Sequence, residues 1–324
     1  MSIQLKAPFP YFGGKGMIAD RVWQYLGDCK MYLEPFFGSG AVLLRRPKTS
    51  HANPIEIVND ADGFVANAWR CIQFKPEETA RWCDWPVNHA DLTARRIALI
   101  EAEGMLLELL LSDAEACDVK LGGYWIWAAS CWIWGGLTSK REIPVLTHNP
   151  GVQQTTIRRT TLIPHLTHDR GIVTQRPGLT SSNGCTGHVD IYGWFRALSK
   201  RLRHVKVVCG DWSRICGGNW RDEHSSVGMF FDPPYATGYR DKNLYHKDSM
   251  TVGKDVETWV LENGKKENHR IVVCGYEDEY HRLVDAGWRV EAWKANGGYS
   301  NKGKNESDNR YRERVFISPH CLRP

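Results

Sequence analysis

A chain of 324 residues, 42% hydrophobic and 24% charged, is long enough to bury a substantial core in one large domain or two smaller ones. No apolar stretch is long enough to span a bilayer, no apolar run follows a basic start at the N-terminus, and the ten cysteines form no CxxC pair or Cys/His cluster at zinc spacing. These features set aside membrane, secreted and zinc-binding classes and predict a cytoplasmic protein with reduced thiols, while the net charge of +5 permits a polyanionic partner without requiring one.

Residues 31–34 read as a strand, 36–40 as a tight glycine turn, and 41–45 as the start of a helix. A second strand follows at 55–60, ending in acids, and a second helix at 64–72. The alternation predicts a parallel α/β sheet. From residue 74 to 190 the character changes. Residues 92–111 are helical in composition with a break expected at Gly104, 124–134 are packed with aromatics, and 137–176 are rich in Thr, His, Pro and Arg. The paired tryptophans at 125/127 and 132/134 read as core, with base stacking as the minority reading. The α/β rhythm returns with a helix at 191–202 and strands at 205–209, 229–231 and 271–274. A last strand at 314–317 is expected to form an antiparallel hairpin with 289–293. The picture is one α/β domain, 1–72 with 191–324, interrupted by an insert at 73–190.

Asp232, Pro233, Pro234 and Tyr235 stand at the end of the apolar run 227–231. A carboxylate and a proline carbonyl can accept hydrogen bonds from an exocyclic amine, two prolines hold them still, and a tyrosine can stack on a flat ring. That set of groups points to chemistry on a nucleobase amine. The turn carrying Phe36, Gly38 and Gly40 lets a ligand approach the backbone at the edge of a parallel sheet, but its spacing is not GxGxxG and no GxxxxGK[ST] occurs. Asp60, ending the next strand, can take both hydroxyls of a ribose, or it can cap a helix.

Six blocks in order resemble the Dam-like family of DNA adenine methyltransferases: residues 10–15, 34–40, 59–60, 210–212, 232–235 and 312–315. The resemblance covers roughly 8–72 and 191–320 and implies a Rossmann-like class I methyltransferase sheet with helices on both faces. It implies S-adenosylmethionine as cofactor, S-adenosylhomocysteine as product and no metal. Tyr11, Lys15 and Glu34 would hold the methionyl end, with Lys15 beside Asp232. Asp60 would hold the ribose and Asp211 would sit beside the cofactor adenine. Asp232, Pro233 and Tyr235 would be catalytic, acting on the 6-amino group of an adenine flipped out of duplex DNA.

The segment 125–136 looks more like phage-type relatives, and the insert 73–190, mostly helical and loop-rich, falls where the family carries its target-recognition domain. Six basic residues lie in 137–176 against two acids; Lys140, Arg141, Arg158 and Arg159 are the candidate DNA contacts, with a second basic run at 294–314. Other readings stand beside adenine in duplex DNA: the 4-amino group of cytosine, an adenine of RNA, or a catalytically silent DNA-binding homologue. A restriction companion, phage self-protection and regulatory marking are all compatible with the sequence, in a bacterial or phage-infected cell.

Overall fold

The computed structural model describes residues 5–11, 14–132, 137–138, 190–234, 252–276, 278–293 and 313–324. The first half of the chain builds α1 (Ala19–Leu26), β1 (Met31–Glu34), α2 (Ala41–Leu44), β2 (Ile55–Asp60), α3 (Gly63–Phe74), α4 (Pro76–Cys83), α5 (His89–Ser112) and α6 (Val119–Cys131). The second half builds α7 (Ile191–Leu202), β3 (Val205–Cys209), α8 (Ser213–Cys216), β4 (Val227–Phe231), α9 (Val252–Asn263), β5 (His269–Tyr276), α10 (His281–Asp285), β6 (Arg289–Ala292) and β7 (Glu313–Ile317).

Local sequence explains where several helices begin. The side chains of Asp62, Asn88, Asp118 and Asp190 each accept a backbone N–H from the first turn of the helix that follows, starting α3, α5, α6 and α7. Gly104 does not break α5, which runs straight through it. No atom lies within 4 Å of where its Cβ would stand, so the position costs helix propensity, about 1 kcal/mol, without forcing a bend.

The strands form one sheet in the order β3-β2-β1-β4-β5-β7-β6. The first five are parallel, and β7 pairs antiparallel with both β5 and β6. The expected hairpin between β6 and β7 is present, with Arg289 opposite Ile317, and β7 also slots in beside β5, a pairing the sequence does not disclose. β1 and β4 are buried on both faces, as a central parallel strand requires, and β1 departs from an apolar run only at Glu34, its last residue. Tyr32, Val58, Phe230 and Val272 face a cluster shared with α1, α3, α5, α6 and α7, while Leu33, Ile57, Met229 and Val273 face one shared with α8, α9 and α10. The result is a three-layer α/β fold of the Rossmann-like methyltransferase type.

The helices between α3 and α7 pack onto these two and share the first cluster. α6 lies among α3, α4 and α5, so both Trp125 and Trp127 are buried although they point to different sides of the helix. Trp132 is half-buried, and Trp134 lies outside the described residues. The crossing of α4 over α6 depends on Gly123, where an added Cβ would stand 2.2 Å from Trp82 Cβ. Gly123→Val is expected to lower unfolding stability by about 1–3 kcal/mol, read from denaturant midpoints, because a β-carbon clash cannot be relieved by a rotamer change.

Candidate active site

The strand order reverses between β1 and β4, and a crevice forms outside the C-terminal ends of these two strands. A cavity open to solvent lies there, at the place where open α/β sheets bind their ligands. Tyr11, Lys15, Glu34, Phe36, Gly38, Asp60, Asp211, Asp232 and Pro234 all line it. Two predicted residues do not. Pro233, between two residues that do, is buried. Gly40 takes φ +62° as the residue before α2, and an added Cβ there would meet the Phe37 ring at 2.7 Å, so this glycine serves a close packing contact. Tyr235 and the candidate DNA contacts Lys140, Arg141, Arg158 and Arg159 lie outside the described residues, as does nearly all of the basic run 294–314.

The floor of the cavity is held by β2. Asp60 is buried; Oδ2 accepts the Gly38 N–H at 2.8 Å and Oδ1 accepts the Asp62 N–H at 2.9 Å. The helix-cap alternative for Asp60 falls away, because Asp62 performs that role for α3. Gly38 needs its freedom: its φ is +47°, and a Cβ would stand 2.7 Å from the Tyr11 ring. Burial and the neighbouring Asp62 carboxylate push Asp60 up to about 7, against the two backbone N–H donors.

Asn59 is a residue the sequence reading passes over. Its amide donates to Pro35 O at 3.0 Å and to Gly210 O at 2.9 Å, tying the turns after β1 and β3 to the end of β2. Nothing in the sequence beside Asp60 marks Asn59 as the tie between these turns.

On one wall Phe36 and Trp212 lie near-parallel, ring centroids 6.4 Å apart at 28°, offering aromatic surface to a flat ring. Asp211 is exposed at the rim and accepts the N–H and hydroxyl of Ser213. On the other wall Glu34 is buried and accepts the Tyr32 hydroxyl at 2.9 Å. Burial pushes the Glu34 carboxyl well above the carboxylate range, with Asp232 and Asp60 adding to the rise against the Tyr32 and Leu43 donors.

Also in the lining, Lys15 Nζ stands 2.9 Å from Asp232 Oδ2. The lysine is 4% exposed and the aspartate 20%, so a shielded ammonium holds the carboxylate that follows β4. The two residues lie in segments far apart in sequence, joined because β1 and β4 are neighbours in the sheet.

The donor set fits a nucleoside that carries a positive charge. Among the described lining residues Glu34, Asp60, Asp62, Asp211 and Asp232 are acids and Lys15 is the one lysine or arginine, an unfavourable surface for a polyphosphate. A ribose diol suits Asp60 and a purine face suits Phe36 and Trp212.

Residues 11–84 match the family model of the D12 class N6 adenine-specific DNA methyltransferases. The match agrees with the Dam-like resemblance of the sequence. The D12-class segment contains β1, β2, α3, Lys15, Glu34, Gly38 and Asp60, and it stops well before Asp232. It points to methylation of adenine in DNA, and methyltransferases of this kind generally use S-adenosylmethionine. No curated protein matches the chain. Among the described residues no helix is long and apolar enough to cross a membrane, and no group of three or more His, Cys, Asp or Glu side chains is placed to hold a metal ion.

Proposed function

We propose that this chain is a site-specific DNA adenine methyltransferase that transfers a methyl group from S-adenosylmethionine to the 6-amino nitrogen of an adenine flipped out of duplex DNA. The observation that carries the proposal is the Lys15–Asp232 pair in the lining of an acid-lined cavity at the switch point of the sheet.

When bound, S-adenosylmethionine supplies a methyl group on a positively charged sulfur. Asp60 would hold the ribose, Phe36 and Trp212 the adenine of the cofactor, and Glu34 and Tyr11 its methionyl end. The adenine 6-amino nitrogen is a weak nucleophile because its lone pair is delocalised into the ring. The Asp232 carboxylate and the Pro233 carbonyl accept its two N–H bonds, drawing the nitrogen toward tetrahedral geometry and localising the lone pair. Much of the remaining rate comes from alignment of the nitrogen with the methyl group. As the new bond forms the amine becomes acidic, and its proton passes to an Asp232 carboxylate oxygen. Lys15 fixes that carboxylate through Oδ2.

Tyr235 stacks on the extruded base, a contact worth roughly 1–3 kcal/mol. Target recognition is assigned to 73–190, with Lys140, Arg141, Arg158 and Arg159 on the DNA. Purified protein, labelled cofactor and adenine-containing duplex test the proposal together. Tyr235→Phe is expected to keep most of the transfer and Tyr235→Ala to lose most of it, since stacking needs a ring and not a hydroxyl. Transfer to duplex cytosine alone would replace the adenine reading with its 4-amino alternative.

A further inference from the structure

β7 alternates its side chains across the sheet. Val315 and Ile317 join the cluster on the α1 side, and Phe316 joins the one on the α9 side. The same period of two turns Glu313 toward the α1 side, where Lys15 lies. There its Oε2 stands 4.0 Å from Lys15 Nζ, on the ammonium already paired with Asp232. The Glu313 side chain is 13% exposed, and its Oε2 is buried and accepts no hydrogen bond among the described residues. The Trp293 ring lies over the same ammonium, centroid 5.7 Å away. Lys15 and Asp232 line the cavity, and Glu313 does not.

A buried carboxylate oxygen without a hydrogen-bond donor is costly, and a strand position in a packed sheet is ordinarily filled by an apolar side chain. Burial pushes the Glu313 carboxyl up, Lys15 pulls it back down, and Asp232 raises it again. Charge arithmetic shows what the arrangement gains. Lys15 and Asp232 alone form a neutral pair. With ionised Glu313 the three groups carry one net negative charge.

We propose that Glu313 is a positioning residue that acts through Lys15, holding the ammonium on Asp232 and leaving the group of three net negative where an amine turns positive on accepting a methyl group. The catalytic part of this assignment rests on the function proposed above; the pairing itself does not.

The test uses Glu313→Gln, Glu313→Asp, Lys15→Met and the Glu313→Gln/Lys15→Met double variant of the full chain. In denaturant unfolding, the two single changes are expected to be non-additive by at least about tenfold in the equilibrium constant, as expected for residues in contact. In methyl transfer, Glu313→Gln is expected to lower kcat at least about tenfold with KM for duplex and cofactor within about twofold. Glu313→Asp should recover part of the loss, and the double variant should be no slower than Lys15→Met alone. Additive unfolding free energies would overturn the pairing. Coupled unfolding with wild-type kcat in Glu313→Gln would overturn the positioning role. A wild-type chain that transfers nothing to adenine would overturn the proposed function and the catalytic part of this assignment, while the unfolding cycle still decides the pairing.

Discussion

Replacing Asp232 with Asn is expected to lower methyl transfer by about 10³-fold or more while cofactor affinity stays within about threefold. The size follows from two losses at one atom group. Asn keeps a carbonyl oxygen that can accept one N–H bond, but it lacks the charge that strengthens that bond and cannot take the proton the amine sheds; each effect alone is worth on the order of 10²-fold, and acting at one group they combine to less than their product. The substitution also leaves the Lys15 ammonium, 4% exposed, without its 2.9 Å partner. Breaking a buried pair by removing one member costs up to about 3–5 kcal/mol. Here the cost is smaller, because Asp232 is 20% exposed and Glu313 remains at 4.0 Å. Calorimetry with S-adenosylhomocysteine separates the two effects: retained binding with lost turnover assigns the defect to chemistry, and loss of both assigns it to the fold.

Asp60→Ala is expected to weaken cofactor binding by about 100-fold or more. It removes the acceptor for the ribose and strands the N–H groups of Gly38 and Asp62, each worth roughly 1–3 kcal/mol when left unpaired in a buried site. The wild-type carboxyl also gives the site a pH dependence. Its folded-state value is raised from 3.8 to about 7 by burial first and Asp62 second. A raised acid adds stability that is complete below its unfolded value and is lost as pH rises through the folded one. The ligand-free protein should therefore lose stability between about pH 4 and 7, on the order of 4 kcal/mol if Asp60 acted alone. Cofactor binding should run the other way. Hydroxyl donors favour the ionised carboxylate, so affinity should rise through pH 7 and binding should release protons. Glu34 shifts in the same direction, so the portion of both profiles that disappears in Asp60→Asn is the portion due to Asp60.

The strands around this site were legible in the sequence because each is a short apolar run closed by Gly, Pro or an acid. β1, β2 and β3 and helix α7 have the bounds expected of them. Four of the cavity-lining acids, Glu34, Asp60, Asp211 and Asp232, were legible for the same reason, standing where strands stop; Asp62, in the turn before α3, was not. Partnership was not. Nothing in the local pattern at Glu313 says that its carboxylate meets Lys15, because period two gives a face and never a neighbour. Asn59 carried no signal of its own beside Asp60, although it ties two turns together. Gly40 sits in the same turn as Gly38 and has a similar positive φ, yet one glycine lines the cavity and the other packs on Phe37. Gly104 and Gly123 are both helical glycines with opposite consequences, open space at one and the Trp82 side chain at the other. Helices α1 and α10 were missed because neither begins with a side-chain cap and both are short.

The most direct measurement is nucleoside mass spectrometry of DNA from a host without adenine methylation of its own, expressing either the wild-type chain or Asp232→Ala. N6-methyladenine present with the wild type and absent with the variant is the predicted result. Methylated cytosine without methylated adenine, or N6-methyladenine undiminished in Asp232→Ala, would contradict it.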